Sequence, residues 1–307
     1  MLDFDAVLRW LSSKVDVSLP PEFVRALGQS SGIPSPYSQL LGHSHLPTPL
    51  WNEGFLHIQP REQVVSVSID NSSIFLPGGT NPQFGFRRMD IIAANNGEHT
   101  NLITQIETNK TVFHVSIQKD ETRPLNYTHE YQIVFIEPND GSHVFGIQLG
   151  SPFTDPTGAL PAPNAHSFKV LDHALNVLFS TPFTSGAWHN FAVEVDWNAR
   201  TLAVWYSQDA VLLQQVVSTT LNPTAAAGPD GQGDFHFTVL KSGAAESEVN
   251  GVDIQLPLVN PADSPANQAD VVHYGIQEGT TEALLYSGVF VENAAQGISR
   301  GFGVIKL

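Results

Sequence analysis

NFAVEVDWNARTLAVWYS, residues 190–207, holds two runs rich in β-branched and aromatic residues, separated by Asn198-Ala199-Arg200. Two such runs joined by a short polar link read as a β-hairpin. The pattern continues outward in both directions. QVVSVSI sets Val65, Val67 and Ile69 against Val64, Ser66 and Ser68, and TVFHVSIQ sets Phe113, Val115 and Ile117 against His114, Ser116 and Gln118. DFHFTVL separates Phe235, Phe237 and Val239 from Asp234, His236 and Thr238. VVHYGIQ, ALLYSGVFVE and FGVIKL read as further strands. No helical period of useful length follows residue 50. Many short strands punctuated by Gly, Pro and Asn predict an all-β chain, a two-sheet sandwich of jelly-roll type. GSPFTDPTGALPAPNA (150–165) and VNPADSPANQ (259–268) read as long surface loops.

Residues 1–50 differ. Asp5-AVLRWL and Pro21-EFVRAL-Gly28 read as two short helices, the second with Pro near its start and Gly past its end. A Pro- and Ser-rich coil follows. The expected organisation is an N-terminal helical and coil arm over 1–50, packed on a main β domain over 51–307.

The chain has 307 residues, 41% of them hydrophobic, which is enough for a substantial core. It has no cysteine, so disulfides and Cys-based zinc sites are excluded. Thirty acids against 14 bases give a net charge of −16, a surface that repels nucleic acid and polyanionic polysaccharide. Only 14% of residues are charged, and the abundant Asn, Gln, Ser and Thr suit a neutral, hydroxyl-rich ligand. No segment reaches membrane-spanning length. Three N-glycosylation sequons, Asn71-Ser-Ser, Asn109-Lys-Thr and Asn126-Tyr-Thr, point to the secretory pathway, although MLDFDAVLRWLSSK lacks the basic start and unbroken apolar core of a secretory signal. The expectation is a secreted glycoprotein, monomeric, without membrane contact.

Period-two alternation sorts the polar residues by face. In FGFRRMDII (84–92), Phe84, Phe86, Arg88, Asp90 and Ile92 share one face, and Arg87, Met89 and Ile91 the other. In THEYQIVFIE, strict alternation groups Glu130, Gln132, Val134 and Ile136 against His129, Tyr131, Ile133, Phe135 and Glu137. A carboxylate inside such a strand must be paired, hydrogen-bonded or turned toward a cleft. Arg88 is the expected partner of Asp90 or Glu130. The alternatives are a structural ion pair and a sugar-binding cleft with two carboxyl groups and a histidine. His114 and Gln118 are candidates for the same cleft. His143 reads as a solvated turn residue, and Trp188, Trp197 and Trp205 as packing. HExxH, EF-hand, P-loop and GxSxG motifs are absent from the sequence, so no metal or cofactor is expected.

Several long segments, in order, resemble one known family. GFRRMDII, RPLNYTHEYQIVFIEPNDGSHVFGIQL, STPFTSGAWHNFAVEVDWNARTLAVWYS, GDFHFTVLK and YGIQEGTTEALLYSGVFVE are similar to the catalytic domain of glycoside hydrolase family 131, fungal β-glucanases of β-jelly-roll fold. The likeness runs from about residue 50 to about 295. It implies a hydrolase acting on β-1,3-, β-1,6- and in some members β-1,4-linked glucan. It also implies a catalytic set of Asp90, Glu130 and His236. Around that set the alternation of the strands gives Arg88, Gln132, His114, Gln118 and Thr238 as expected substrate-binding residues. At the first acid the family usually has Glu, whereas this chain has Asp90, one methylene shorter. A misplacement of about 1 Å can cost roughly a hundredfold in rate, so the difference bears on activity. The resemblance further implies an inverting mechanism, in which Glu130 protonates the leaving oxygen, Asp90 takes a proton from water and His236 orients water or a hydroxyl. Two other functions use the same residues: a glucan-binding protein without turnover, and a polysaccharide lyase built on Arg88, Gln132 and His236.

Overall fold

The computed structural model describes residues 24–27, 37–41, 45–51, 64–76, 80–93, 99–152, 161–242, 247–249, 252–254, 270–274 and 279–301. In chain order the strands are β1 (Val24–Leu27), β2 (Ser38–Leu40), β3 (Val65–Ile69), β4 (Ile74–Phe75), β5 (Gln83–Ala93), β6 (Lys110–Lys119), β7 (Glu130–Pro138), β8 (Phe145–Gly150) and β9 (Ser167–Asp172). They continue with β10 (Val177–Pro182), β11 (His189–Asp196), β12 (Thr201–Gln208), β13 (Gln214–Leu221), β14 (Gly233–Lys241), β15 (Ser247–Val249), β16 (Val252–Ile254) and β17 (Glu282–Asn293). Helix α1 is His99–Ile106 and α2 is Val271–Tyr274.

Two antiparallel sheets form a jelly-roll-like sandwich. One runs β1-β5-β14-β7-β8-β9-β10 with β4 beside β5, and the other β13-β12-β11-β6-β17-β3-β2. Strands β11 and β12 are the hairpin read from 190–207, paired from His189↔Gln208 to Asp196↔Thr201. The inner faces carry the alternate apolar residues: Met89, Ile91, Phe235, Phe237, Val239, Phe145 and Ile147 meet Val65, Val67, Ile69, Phe113, Val115, Phe191 and Val193. Phe113 of one sheet lies 5.0 Å from Phe235 and 6.0 Å from Phe145 of the other, ring centroid to centroid. Aromatic pairs at such distances add specific attraction to the burial of their area.

Four expectations are corrected. Val24–Leu27 is not helical. It is an edge strand paired with β5 from Val24↔Ala93 to Leu27↔Asp90. An unpaired sheet edge outweighs weak helix propensity in so short a segment. The first helix read from 1–50 lies outside the described residues. VVHY is a helical turn rather than a strand, because the Asp270 side chain accepts a hydrogen bond from the His273 backbone N–H at 3.2 Å, as an N-cap does. Helix α1 follows residue 50 after all, with Leu102 and Ile106 buried one turn apart; one such pair is too little periodicity to read. The fourth correction, in β7, shapes the site. Of the two long loops, 153–160 and 259–268 are outside the described residues.

Candidate active site

The polar residues collect on the outer face of the eight-stranded sheet. Met89 and Ile91 turn inward, which turns Arg88 and Asp90 outward. Strand β14 lies next, with Thr238 opposite Asp90 and His236 opposite Ile92. Strand β7 follows, with Phe135 opposite His236 and Glu137 opposite Asp234.

Strict alternation would place Glu130 and Gln132 on the face opposite Glu137. The ladder slips instead, between Phe237 and Leu240 on the β14 side and between Gln132 and Val134 on the β8 side. Ile133 and Val134 both enter the core through this irregularity. Glu130 and Gln132 thereby share the open face with Phe135 and Glu137, as bulges permit. Beneath it, the Tyr286 hydroxyl from the opposite sheet donates to Thr238 O at 2.5 Å, with Ile133 O at 3.3 Å. One buried hydroxyl thus serves the carbonyls left where the two strands part.

Arg88 is the hub of the charged group. Its Nε donates to Asp90 Oδ2, and its Nη2 to Glu137 Oε2 at 3.1 Å. Its guanidinium lies 4.6 Å from the Phe75 ring centroid and 5.8 Å from that of Phe135. His236 stands between the same two acids, Nδ1 3.5 Å from Asp90 Oδ1 and Nε2 3.6 Å from Glu137 Oε2. Phe135 is sandwiched by His143 at 4.2 Å and His236 at 4.7 Å, both nearly parallel to it. Asp90 is buried at 5% exposure, whereas the Glu137 side chain keeps 28% and reaches toward solvent. Burial opposes ionisation of Asp90, but Arg88 and His236 outweigh it and hold the carboxyl well below the usual range. Burial also pushes His143 down to about 4, with His236 and Arg88 adding to the effect and Glu137 opposing it, so the imidazole on Phe135 is neutral at pH 7.

A cleft of about 620 Å³ adjoins this group, lined by Glu130, Gln132, His143, Gln148, Lys169 and Leu171 among others. Gln132 Nε2 donates to Glu130 Oε1 at 3.1 Å. Lys169 Nζ donates to Gly150 O at 2.6 Å; burial lowers its pKa and the nearby Glu130 opposes that.

The open face therefore holds Asp90, Glu130, His236, Arg88, Gln132 and Thr238, whose hydroxyl donates to Met89 O at 2.6 Å. It does not hold His114 and Gln118. Both lie on β6 of the other sheet, on its outer side. His114 is buried there against Phe290 and Trp51 and pairs with Glu292 at 2.9 Å. Alternation placed these side chains away from the core, but each sheet of a sandwich has its own outer face, and the pattern does not say which. Sequence reasoning missed Glu137, Phe135 and His143. The bulge hid the first two. His143 was read as a solvated turn residue, yet its position after the β7 strand end folds it back onto Phe135. Trp188 is buried, and Trp197 and Trp205 pack against apolar clusters, as expected. Among the described residues no group of three or more acidic or histidine side chains is arranged to hold a metal ion.

No curated protein matches the chain. Among solved structures, the catalytic domain of the glycoside hydrolase family 131 protein from Coprinopsis cinerea superposes with a TM-score of 0.57 at 22% identity, over 92% of this chain and 86% of that one. A family 131 beta-glucanase catalytic domain from Podospora anserina superposes with a TM-score of 0.51 at 20% identity, over 78% of this chain and 74% of that one. At these identities the superpositions establish a common fold. A sequence profile described as the glycoside hydrolase 131 catalytic N-terminal domain matches residues 23–297. The match spans most of the chain, and the protein therefore belongs to glycoside hydrolase family 131.

Proposed function

We propose that this glycoside hydrolase cleaves a neutral β-glucan, linked β-1,3, β-1,6 or β-1,4, with inversion. Asp90, Glu130 and His236 carry the chemistry, and Arg88, Gln132 and Thr238 support it. The observation that carries the reading is the charge balance of the open face. Among its described residues, Arg88 is bound by Asp90 and Glu137, while Lys169, hydrogen-bonded to Gly150 O, lies in the field of Glu130. These three carboxylates outnumber the two cations, so an anionic sugar meets net repulsion, while hydroxyls find both donors and acceptors. The same balance weighs against a lyase acting on uronic acids.

An inverting hydrolase needs one carboxyl group to protonate the leaving oxygen and another to draw a proton from water on the opposite side of the sugar. Asp90, held ionised by Arg88, suits the second task, with His236 orienting the water; Glu130 takes the first. A second reading, binding without turnover, draws on the depth at which Asp90 is buried. Incubation with laminarin, yeast glucan and cello-oligosaccharides separates the two, since only an enzyme releases reducing ends. Glu130→Gln should then lower the rate by well over tenfold on any glucan that is cleaved; a smaller loss would refute its role as acid.

We also propose action outside the cell. Asn71 and Asn109 of the three sequons lie exposed in turns, where an oligosaccharide can be attached. A mobility shift on endoglycosidase treatment of protein from its native host would bear this out, and an unchanged band would count against it.

A further inference from the structure

Beyond Glu130 the open face continues across β8 and β9. Gln132 of β7 is the ladder partner of Gln148 on β8, and Gln148 that of Lys169 on β9. Ladder partners project to the same side, so these three side chains form one polar row at right angles to the strands. The row spans about 10 Å, two strand spacings of about 4.8 Å. That is longer than a single pyranose ring.

Strand β8 makes the row a trough. Its inward residues are Phe145, Ile147 and Leu149, all in the core. Its outward residues are Gly146, Gln148 and Gly150, so one side chain stands on an otherwise bare strand. Gly150 has φ +82, and a Cβ there would meet His129 O at 1.8 Å, so the backbone itself keeps that end of the floor low. Leu171, Leu175 and Val177 line the trough beyond Lys169, and His143 and His173 also border it. The volume of about 620 Å³ falls within the roughly 300–1,000 Å³ of pockets that enclose a ligand larger than one ring.

Two polar side chains of this trough are only lightly engaged by the protein. Among the described residues the Gln148 amide makes no side-chain hydrogen bond, and the one hydrogen bond of the Lys169 ammonium goes to Gly150 O. An ammonium has three donors, and an amide has two donors and an acceptor. Together with Glu130 they present alternating donors and acceptors to a ligand with many hydroxyls and no net charge.

We propose that the Gln132–Gln148–Lys169 row is an extended binding site for a neutral oligosaccharide chain, holding sugar units on the β8–β9 side of the Arg88 and Asp90 group. The inference rests on the glucan-hydrolase reading and adds a length requirement: the chain crosses the strands, and units remote from the scissile bond contribute to binding. Gln148 is the specificity-determining residue, since it stands alone at mid-trough.

The test is kcat/KM for a ladder of neutral gluco-oligosaccharides of increasing length, with wild type and Gln148→Ala. Gln148→Leu serves as a second variant that fills the same space without hydrogen bonds. Wild-type kcat/KM should rise with length, mainly through KM, and the loss caused by either variant should be at least fivefold greater on the longest oligomer than on the shortest one cleaved. A length-independent wild type, or variants whose loss is equal at all lengths, would overturn the proposal while leaving the hydrolase reading intact. If wild type cleaves no oligomer, that reading fails instead, and calorimetric titration with the same ladder decides on the trough. Affinity that grows with length and is lost in Gln148→Ala upholds it; affinity that ignores length, or no binding, sinks it.

Discussion

Arg88 Nη2 lies 3.1 Å from Glu137 Oε2, a contact that joins β5 to β7 across the whole width of β14. Arg88 is thus held at two nitrogens of its guanidinium, by Asp90 at Nε and by Glu137 at Nη2. A planar guanidinium bound at two of its nitrogens has a fixed orientation, and so has the carboxylate it holds. Glu137→Gln removes the charge that fixes the outer end. Arg88 then has freedom to leave Asp90, and the Asp90 pKa rises toward its ordinary value. The acidic limb of the kcat/KM profile against pH should move to higher pH, and kcat should fall about tenfold, the loss expected when a remote change misplaces reacting groups by a fraction of an ångström. Glu137→Asp should recover part of that loss. A pH profile superimposable on wild type would show that Asp90 alone holds Arg88.

Tyr286 offers a separate test of the irregularity that shapes the site. Its hydroxyl meets Thr238 O and Ile133 O, and its ring is fully buried. Tyr286→Phe keeps the ring and leaves both carbonyls without this partner in a dry interior. A buried polar group left unsatisfied costs about 1–3 kcal/mol. Urea denaturation should report a loss in that range with an unchanged slope, and kcat should fall as well, because the strands carrying His236 and Glu130 are no longer tied at that point. A stability loss with unaltered turnover would show that the tie serves the fold alone.

How far the sequence discloses this site depends on how local the signal is. His236 was legible because DFHFTVL alternates without interruption, and β14 keeps an unbroken register with β5 from His236 to Lys241. Arg88 and Asp90 were legible for the same reason. Their association with Glu130 was not, since nothing local says that β5, β14 and β7 are neighbours; the family resemblance supplied that. Glu137 was assigned to the wrong face because the register slip at Ile133 and Val134 leaves no mark in composition: both residues are apolar whichever way they point. His114 shows the converse failure. The pattern placed it correctly on an outer face, but of the opposite sheet. The β1 segment was misread because FVRAL can serve a helix or a strand, and the open edge of β5 decides between them.

The stack of His143 on Phe135 predicts a particular acid sensitivity. Burial depresses its folded pKa to about 4 from an ordinary value of 6.5. Between those values the folded state binds fewer protons than the unfolded chain. The contribution is therefore complete above about pH 6.5 and is lost as the pH falls toward 4. His143→Phe keeps a flat ring on Phe135 and cannot take up a proton. Its Tm should fall less than that of wild type between pH 7 and pH 4.5. His189, also pushed to about 4 by burial, adds a slope of the same sign, so the variant should lose only part of the acid sensitivity. Equal Tm slopes in the two proteins would mean that His143 takes up its proton without penalty.

Glu107 has the opposite dependence. It follows α1, is fully buried, and its Oε2 accepts the Gly233 N–H at 2.9 Å while Oε1 makes no hydrogen bond among the described residues. Gln232 Nε2 donates to its backbone carbonyl at 2.5 Å, so this residue fastens α1 to the start of β14, the strand bearing His236. Burial raises the carboxyl pKa well above 4.5, Asp234 adds to the rise, and the Gly233 hydrogen bond opposes it. The folded state then holds a proton that the unfolded chain releases. Its contribution to stability is complete below the unfolded pKa and is lost as the pH rises through the folded one. Glu107→Gln keeps an oxygen for Gly233 and carries no charge at any pH. Urea denaturation at pH 5, 6.5 and 8 should find the variant gaining on wild type at each step, with the difference largest at pH 8. A constant difference across that range would mean that Glu107 is ionised within the fold and that the junction of α1 and β14 accommodates its charge.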